Sequence, residues 1–178
     1  MTPISRDTDW QVTPIAAGRY RPWLIDRGSL TARIAQRCPR VSVEVVFQGL
    51  RRADRDERFM FADRSRSRVQ VREIFLRCHD TRVVFAHTVL DPADLRGAWR
   101  SVAKLGARPL GAALFKVPRI ERHPLTSRKI GRHHDLHRRL SGYIPSVPFA
   151  LWARRSLFRL HGSPILVTEV FLPEILGL

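Results

Sequence analysis

The strand-forming segments of the sequence are joined by very short polar turns, and this limits the fold more than any other feature. Residues 69–78 and 83–90 have strand character and are separated by four residues, as are residues 153–160 and 165–172. A further strand is predicted at residues 41–47. Connections this short join antiparallel neighbours, because a parallel crossover needs a dozen or more residues. We therefore predict a mostly antiparallel sheet.

Helices are predicted between the blocks of strands. Ser29 has the character of an N-cap for a short helix over residues 30–37. Asp91, which is followed by a proline, starts a second helix that runs to about residue 105, and residues 110–115 form a third. Helices that are grouped between antiparallel strand blocks indicate an α+β fold.

The chain length of 178 residues suits one ordinary domain. We predict an irregular lead-in over residues 1–21 and a single domain over residues 22–178. Residues 121–148 carry several arginines and four histidines with little hydrophobic periodicity. This composition predicts a mobile basic insert in that stretch.

The sequence contains no targeting or membrane segment that we can identify. No apolar run approaches the ~20 residues needed to span a bilayer, and the N-terminal residues lack the apolar stretch of a secretory signal. Cys38 and Cys78 are far apart and form no CxxC pair. Such cysteines fit a reducing cytosol better than a disulfide framework. We expect a cytoplasmic protein without membrane insertion.

The charge balance is strongly positive, with 32 Lys and Arg residues against 16 Asp and Glu residues. Nearly all of the cations are arginines, and genomic base composition can produce the same skew, so we give it little functional weight. The sequence shows no RNP-type aromatic motif, zinc finger or helix-turn-helix. We therefore expect no specific nucleic-acid partner.

Glu169 stands out because it lies in a strand that is apolar on both faces. Alternation places Ile165, Val167 and Phe171 on its own face, and the opposite face is apolar or small as well. A carboxylate in a covered strand is costly unless it is paired or protonated. It is either a functional acid, base or ligand-binding group, or half of a buried salt bridge with an arginine.

Arg72 presents the same problem with the opposite charge. It shares a strand face with Ile74 and Leu76, while Glu73 takes the other face. A guanidinium directed into a sheet core is suited to clamp a carboxylate with two hydrogen bonds. The alternative is a structural pairing with Glu169 or Glu73.

A metal site has weak support in the sequence. His133 and His137 are spaced to share a helix face, which is a common arrangement of zinc ligands. The segment has no HExxH pattern and no cysteine, and its strongly cationic surroundings disfavour a dication. We therefore expect no metal at these histidines.

Several segments, in this order, resemble the chorismate pyruvate-lyase family of the ubiquinone pathway. The similarity extends roughly from residue 23 to residue 173, and the early residues 23–24 and 29–31 fit it as well. The segments that carry it are VREIFL (71–76), KLGARPLG (104–111), LF (114–115), WARRS (152–156) and LVTEVFLP (166–173).

The resemblance implies both a fold and a reaction. The fold would be an antiparallel sheet of about six strands with helices packed on it and helical flaps over an enclosed ligand pocket. The activity would be that of a bacterial, cytosolic carbon-oxygen lyase that needs no cofactor. It would convert chorismate to 4-hydroxybenzoate and pyruvate, the first committed step of ubiquinone biosynthesis. We expect a monomer, and we place the sixth strand near residues 117–122.

The resemblance also assigns roles to individual residues. Arg72 matches the arginine that holds the ring carboxylate, and Glu169 matches the carboxylate at the hydroxyl end of the ring. Leu30 and Leu110 match positions that close the pocket. Two of these residues, Arg72 and Glu169, are also the ones that strand alternation places in the core.

His87 departs from the family pattern, because the resemblance leads us to expect an arginine there. As a hydrogen-bond donor it would contact the enolpyruvyl carboxylate of the substrate. The alternative is a partly buried strand histidine with no contact to the ligand.

A second class of function stays open at this point. Effector-binding domains of some transcription regulators resemble the same fold and enclose a small molecule. The alternative is therefore a non-catalytic sensor or carrier domain that binds an aromatic acid.

Overall fold

The computed structural model describes residues 9–61, 68–114 and 119–178. The strands in this part of the chain are β1 (Val41–Arg52), β2 (Arg68–Cys78), β3 (Thr81–Leu90), β4 (Glu121–Arg122), β5 (Thr126–Gly131), β6 (Ala150–Leu160) and β7 (Ser163–Phe171). The helices are α1 (Arg21–Ile25), α2 (Leu30–Ala35), α3 (Arg100–Ala103), α4 (Leu110–Leu114) and α5 (Asp135–Ser141). Short 3-10 turns lie at Gly18–Tyr20, Arg58–Met60, Pro92–Arg96 and Pro173–Gly177.

The strands form one sheet in the order β1-β2-β3-β7-β6-β4, and β5 pairs with β6 beside β4. Each strand pairing of the described residues is antiparallel. The two predicted hairpins, β2–β3 and β6–β7, are therefore confirmed, as is the α+β class. The sheet has seven strands where the family resemblance implied about six.

The first strand is longer than predicted. We predicted that it ends at residue 47, because Gly49 begins a polar stretch and the residues from Arg51 onward are dense in charge, but β1 continues to Arg52, which pairs with Arg68 of β2. The register shifts between Val45 and Phe47, which marks a β-bulge. Charge was a poor guide to the end of this strand because β1 lies at the edge of the sheet and keeps polar side chains in solvent.

The helix predicted from Asp91 to about residue 105 is interrupted. Its start is confirmed, since the Asp91 side chain accepts a hydrogen bond from the Ala93 amide at 2.8 Å. The chain then forms only a 3-10 turn and leaves helical geometry at Gly97. Trp99 is buried beyond this break and donates to the Ser163 carbonyl at 3.2 Å. The tertiary packing of one indole ring thus overrides the local preference for a continuous helix.

The expectation of a mobile insert at residues 121–148 was wrong. The stretch contains β4, β5 and α5, and its apolar side chains Ile130, Leu136 and Leu140 are fully buried. The arginines and histidines between them hid this pattern, because only a few positions in each element face the core. The sixth strand, which we placed near residues 117–122, corresponds in part to β4, and residues 115–118 lie outside the described residues.

The lead-in that we predicted as irregular is partly attached to the sheet. Gln11 exchanges backbone hydrogen bonds of 2.9 and 2.7 Å with Ser127 of β5. Helix α1 begins at Arg21 and buries Trp23 and Leu24. Residues 1–8 lie outside the described residues.

The sheet is covered on both faces. On the front face, which carries Ile74 and Ala86, the apolar side chains of α1 and α2 form the core cluster that includes Trp23 and Ile34. On the back face, which carries Phe75, the side chains of α5 pack against the strands. Alternation along β2, β3 and β7 therefore separates two buried environments. None of the described helices is long and apolar enough to cross a membrane.

Cys38 and Cys78 form a disulfide bond, which contradicts our expectation of two unpaired cysteines. The two residues are 40 positions apart in the chain, but their Cα atoms lie 5.8 Å apart. They meet because β1 pairs with β2 in a register that places Val41 opposite Cys78. The bond connects the segment after α2 to the end of β2.

Reduction of this disulfide is expected to destabilise the fold. A cross-link that closes a loop of this length restricts the unfolded chain and contributes about 2–4 kcal/mol. We expect the free energy of unfolding in urea to fall by that amount when a reductant is added. A Cys38→Ser/Cys78→Ser variant should match the reduced protein and should not respond to the reductant. Detection of two free thiols in the purified native protein would contradict this assignment.

Candidate functional site

A cavity lies between the front face of the sheet and the segments that begin α2 and α4. It contains about 570 Å³ of space free of protein atoms, a figure that includes open solvent. Its lining is largely apolar, with charged groups at a few positions. The charged or hydroxyl-bearing side chains are Thr31, Arg72, Thr88, Arg122, Arg154, Ser156 and Glu169.

Two adjacent rows of cross-strand neighbours form the floor of this cavity. The register of the sheet brings into one row residues that are far apart in the chain, so that charged groups from β2, β6 and β7 share one surface. The first row is Arg72, Thr88, Val167 and Ser156, and the second is Ile74, Ala86, Glu169 and Arg154.

Arg72 is almost fully buried on β2, with 3% of its surface exposed. Its Nη2 donates to the carbonyls of Gly106 and Arg108, at 2.9 and 3.2 Å, in the segment just before α4. Its Nε has no hydrogen-bond partner among the described residues. Burial lowers the pKa of this guanidinium below its usual range. The neutral contacts leave its positive charge uncompensated, which favours an anionic ligand.

The pairing of Arg72 with Glu169 or Glu73, which the sequence left open, is not present in the described part of the structure. Glu169 instead accepts a hydrogen bond of 2.5 Å from Nε of Arg154 on the neighbouring strand. Glu169 thus combines both of its predicted alternatives: it forms a salt bridge and it also lines the cavity.

Arg154 also lines the cavity, although the sequence did not identify it as a site residue. It is buried, and its Nη1 donates to the carbonyls of Trp23 and Asp26 at 2.8 Å each. One guanidinium therefore orients Glu169 and holds the segment between α1 and α2. The signal was available, because the hairpin register that pairs Leu160 with Ser163 also pairs Arg154 with Glu169.

Arg122 is the second cavity residue that was missed. It lies on β4, where its Nη2 donates to Oγ of Ser156 at 3.0 Å and its Nη1 donates to the Arg27 carbonyl. Burial, together with the nearby charge of Arg154, lowers the pKa of its guanidinium, while Glu169 acts in the opposite direction. No sequence signal identified it, since it lies in the stretch that we predicted as a loop.

Leu30 and Leu110 both line the cavity, at the first residues of α2 and α4. Each is buried, with at most 7% of its surface exposed. The two short helices are thereby brought together over the sheet, and their first turns cover the floor on which Arg72 and Glu169 lie.

His87 does not belong to this site, and its prediction as a substrate-binding residue was wrong. Ala86 and Thr88 line the cavity, so the side chain between them projects to the back face of the sheet. There, His87 is fully buried between Glu57, at 2.9 Å from Nε2, and Glu73, at 3.1 Å from Nδ1. The partly buried strand histidine was the better alternative, although its surroundings are ionic.

The back-face pair of carboxylates changes the ionisation of His87. Burial alone would lower the pKa of the imidazole, but Glu57 and Glu73 raise it to about 9. Further hydrogen bonds and ion pairs surround this group. Tyr143 and Arg51 donate to Glu73, and Arg139 pairs with Asp54. His87 is therefore a cation at neutral pH.

Two groups of described residues could in principle hold a metal ion. Asp54, Glu57 and His87 form one, and Cys38, Cys78 and His79 form the other. The first is engaged by Arg139 and by the His87 ion pairs, and the second by the disulfide. Of the two histidines considered earlier, His137 is buried with Nε2 at 2.8 Å from the Pro148 carbonyl, whereas His133 is exposed.

The ion pairs of His87 predict a fall in stability at alkaline pH. The folded-state pKa is raised from 6.5 to about 9, so the stabilisation is present in full below pH 6.5 and is lost as the pH rises through 9. We expect a loss on the order of 2–3 kcal/mol, measured by urea unfolding between pH 6.5 and 9.5. His87→Gln should remove most of this dependence, whereas His133→Gln should retain it. An unchanged profile in His87→Gln would contradict the assignment.

The chain is similar over nearly its whole length to one family of known proteins. A family model described as chorismate lyase matches residues 5–177. A relative from Nitrosomonas europaea, which carries the name "Probable chorismate pyruvate-lyase", is 47% identical over 167 residues and covers 93% of this chain and 94% of its own. A relative of the same name from Azoarcus sp. is 47% identical over 176 residues, covering 95% and 93%.

Among solved structures, the fold is similar to the ligand-binding domain of a protein assigned to the GntR family of transcriptional regulators, from Bordetella bronchiseptica. The TM-score is 0.50 at 14% sequence identity, covering 76% of this chain and 84% of that chain. At this identity the similarity concerns the fold alone.

Proposed function

The chain belongs to the chorismate lyase family, and on this premise we propose that it eliminates pyruvate from chorismate to give 4-hydroxybenzoate. The observation that carries the proposal is the cavity itself, which sets the buried cation of Arg72 apart from the carboxylate of Glu169 on one apolar floor. Chorismate has the matching polarity, with a carboxylate at one end of its ring and a hydroxyl at the other.

The reaction is a redox-neutral elimination. The ether bond between a ring carbon and the enolpyruvyl oxygen breaks, and the neighbouring ring carbon, which bears the hydroxyl, loses a proton. The ring becomes aromatic, and the released enolpyruvate takes up a proton to become pyruvate. Because aromatisation drives the reaction, the protein mainly has to orient the substrate, stabilise the leaving oxygen and exclude water.

Arg72 is the group that we assign to the ring carboxylate. Its planar guanidinium is held by two backbone carbonyls, so its remaining donors are fixed in direction. An ion pair formed at this buried position would be stronger than one in water. The same carbonyls precede Leu110, which links binding of the carboxylate to the position of α4.

Glu169 is the group that we assign to the hydroxyl end of the ring. The salt bridge with Arg154 holds its carboxylate in place, and a carboxylate accepts protons and hydrogen bonds. In that form it can hold the ring hydroxyl or accept the proton from the carbon that bears it. Leu30 and Leu110 then cover the ring and keep water from the developing charge.

The proposal also covers the cellular location, the oligomeric state and the partners of the protein. We expect it to act in the cytoplasm, an expectation that now rests on the family resemblance and not on its cysteines, which form a disulfide. We expect a monomer that acts on the free small molecules chorismate and 4-hydroxybenzoate, with no specific nucleic-acid partner. The positive net charge of the chain would favour encounter with a dianionic substrate.

The reaction itself is tested by incubating the purified protein with chorismate in the presence of a chelator. Pyruvate and 4-hydroxybenzoate should appear in equal amounts. Tight binding of 4-hydroxybenzoate without either product would instead indicate a sensor or carrier that uses the same cavity. Absence of both turnover and binding would contradict the proposal.

Arg72→Ala is expected to weaken binding of 4-hydroxybenzoate by about 100-fold, because a buried charge-assisted pair is lost. Isothermal titration calorimetry gives the dissociation constants. Arg68→Ala removes an exposed arginine at the start of the same strand and should leave affinity unchanged. Equal affinity of Arg72→Ala and the wild type would refute the assignment of Arg72.

Glu169→Gln is expected to lower kcat by about 100-fold or more, which is the usual contribution of a positioned acid or base. The rate follows from the formation of 4-hydroxybenzoate under saturating chorismate. Glu174→Gln, a substitution at an exposed position after β7, is the matched control. Full turnover by Glu169→Gln would exclude a proton-transfer role and leave only hydrogen bonding to the hydroxyl.

A further inference from the structure

We infer that Arg122, together with Ser156, forms a separate subsite for the second carboxylate of the substrate, the one on the enolpyruvyl side chain. The inference rests on the proposed function and names a specificity-determining residue for it. The two side chains are joined by a hydrogen bond of 3.0 Å at the β4–β6 end of the cavity.

The charge of the cavity supports a doubly charged ligand. The described residues of its lining contribute three guanidiniums and one carboxylate, an excess of two positive charges. Chorismate carries two carboxylates, whereas 4-hydroxybenzoate carries one. One bound carboxylate at Arg72 would compensate only half of that excess. The second half lies at the other end of the cavity, which Arg122 lines from β4 and Arg154 lines from β6.

The layout of the sheet keeps the two ends apart. Arg72 lies on β2 and Arg122 on β4, so four strand spacings separate their backbones, on the order of 19 Å along the sheet. Both side chains line the same cavity, but they enter it from opposite sides. They are therefore placed to bind different carboxylates of one ligand rather than to share one.

The connectivity of the substrate fixes which carboxylate belongs to which end. In chorismate the carbon that bears the ether is adjacent to the carbon that bears the hydroxyl, and the ring carboxylate lies across the ring from the hydroxyl. If Arg72 holds the ring carboxylate and Glu169 the hydroxyl, the enolpyruvyl group must extend on the Glu169 side. Arg122 lies on that side, because its strand β4 lies beyond β7, the strand of Glu169, in the sheet order counted from Arg72 on β2.

Arg122 fits this role better than the other cations considered. Arg154 is 1% exposed, and its guanidinium is already committed to Glu169 and to the carbonyls of Trp23 and Asp26. His87 lies on the back face of the sheet. Arg122 instead reaches the cavity from an edge strand, and its Nη2 donates to Oγ of Ser156, which lines the same cavity.

The subsite would distinguish the substrate from the aromatic product. When the ether bond breaks, the enolpyruvyl carboxylate leaves with pyruvate, so Arg122 no longer contributes to the affinity for what remains. Arg72, in contrast, contacts the same carboxylate before and after the reaction. Substitutions at these two arginines should therefore produce different patterns of binding.

The experiment compares chorismate turnover with 4-hydroxybenzoate affinity in Arg122→Gln. We expect kcat/KM for chorismate to fall roughly 10- to 100-fold, the effect of removing one charge-assisted hydrogen bond, while the dissociation constant of 4-hydroxybenzoate changes by less than about threefold. Arg122→Lys should recover part of the loss. Arg159→Gln, which removes the same charge one position beyond the cavity-lining Phe158, should have wild-type constants and controls for the long-range field.

A substrate analogue tests the same contact without relying on the fold of a variant. The methyl ester of the enolpyruvyl carboxylate should compete for the wild-type site roughly 10- to 100-fold more weakly than chorismate does, and Arg122→Gln should bind ester and acid within about threefold of each other. If the wild type binds the ester as well as the acid, the inference is overturned.

Two further outcomes separate the inference from its premise. If Arg122→Gln weakens binding of 4-hydroxybenzoate as much as it impairs chorismate turnover, Arg122 only supports the segment around Arg27, and the subsite is refuted. If the wild type produces no pyruvate at all, the proposed function fails and the subsite fails with it. A wild type that turns over chorismate, with an Arg122→Gln variant that loses discrimination against the ester, confirms both.

Discussion

The buried salt bridge between Arg154 and Glu169 is the interaction on which the front half of the molecule depends. It connects β6 to β7 within the sheet, and the same guanidinium holds the carbonyls of Trp23 and Asp26. Removing the charge of Glu169 would leave the guanidinium of Arg154, which is 1% exposed, buried without its ionic partner, and this costs more than the pair itself contributes. The segment that leads into α2, and with it Leu30, is thus positioned by a charge that also lines the cavity.

The sheet uses strand alternation to keep two ionic systems apart. Neighbouring residues of β2 and β3 supply Arg72 and Thr88 to the front face and Glu73 and His87 to the back face. On the back, the charges of Glu57, Glu73 and Asp54 are compensated by protein cations, whereas the described residues of the cavity lining on the front carry a positive excess. A fully compensated group stabilises the fold, while an uncompensated one is suited to bind a ligand.

The sequence was sufficient for the fold class, the two hairpins and the placement of Arg72, Glu169, Leu30 and Leu110 around one cavity. The sequence was not sufficient for features that depend on contacts between residues far apart in the chain. The disulfide depends on the β1–β2 register, and the helix break at Gly97 depends on the packing of Trp99. The back-face position of His87 follows from the alternation of side chains along β3, which we did not use to assign its face. The roles of the site residues remain predictions, since cavity geometry alone does not test them.

The Cys38–Cys78 cross-link also limits how far α2 can move over the cavity. It fixes the chain just beyond the end of α2, while Arg154 holds the carbonyls of Trp23 and Asp26 ahead of that helix. The six-residue helix, about 9 Å long, is therefore attached to the sheet on both sides. Leu30 lies between the two attachments, so it covers the cavity as part of a closed loop of chain and not as a free end.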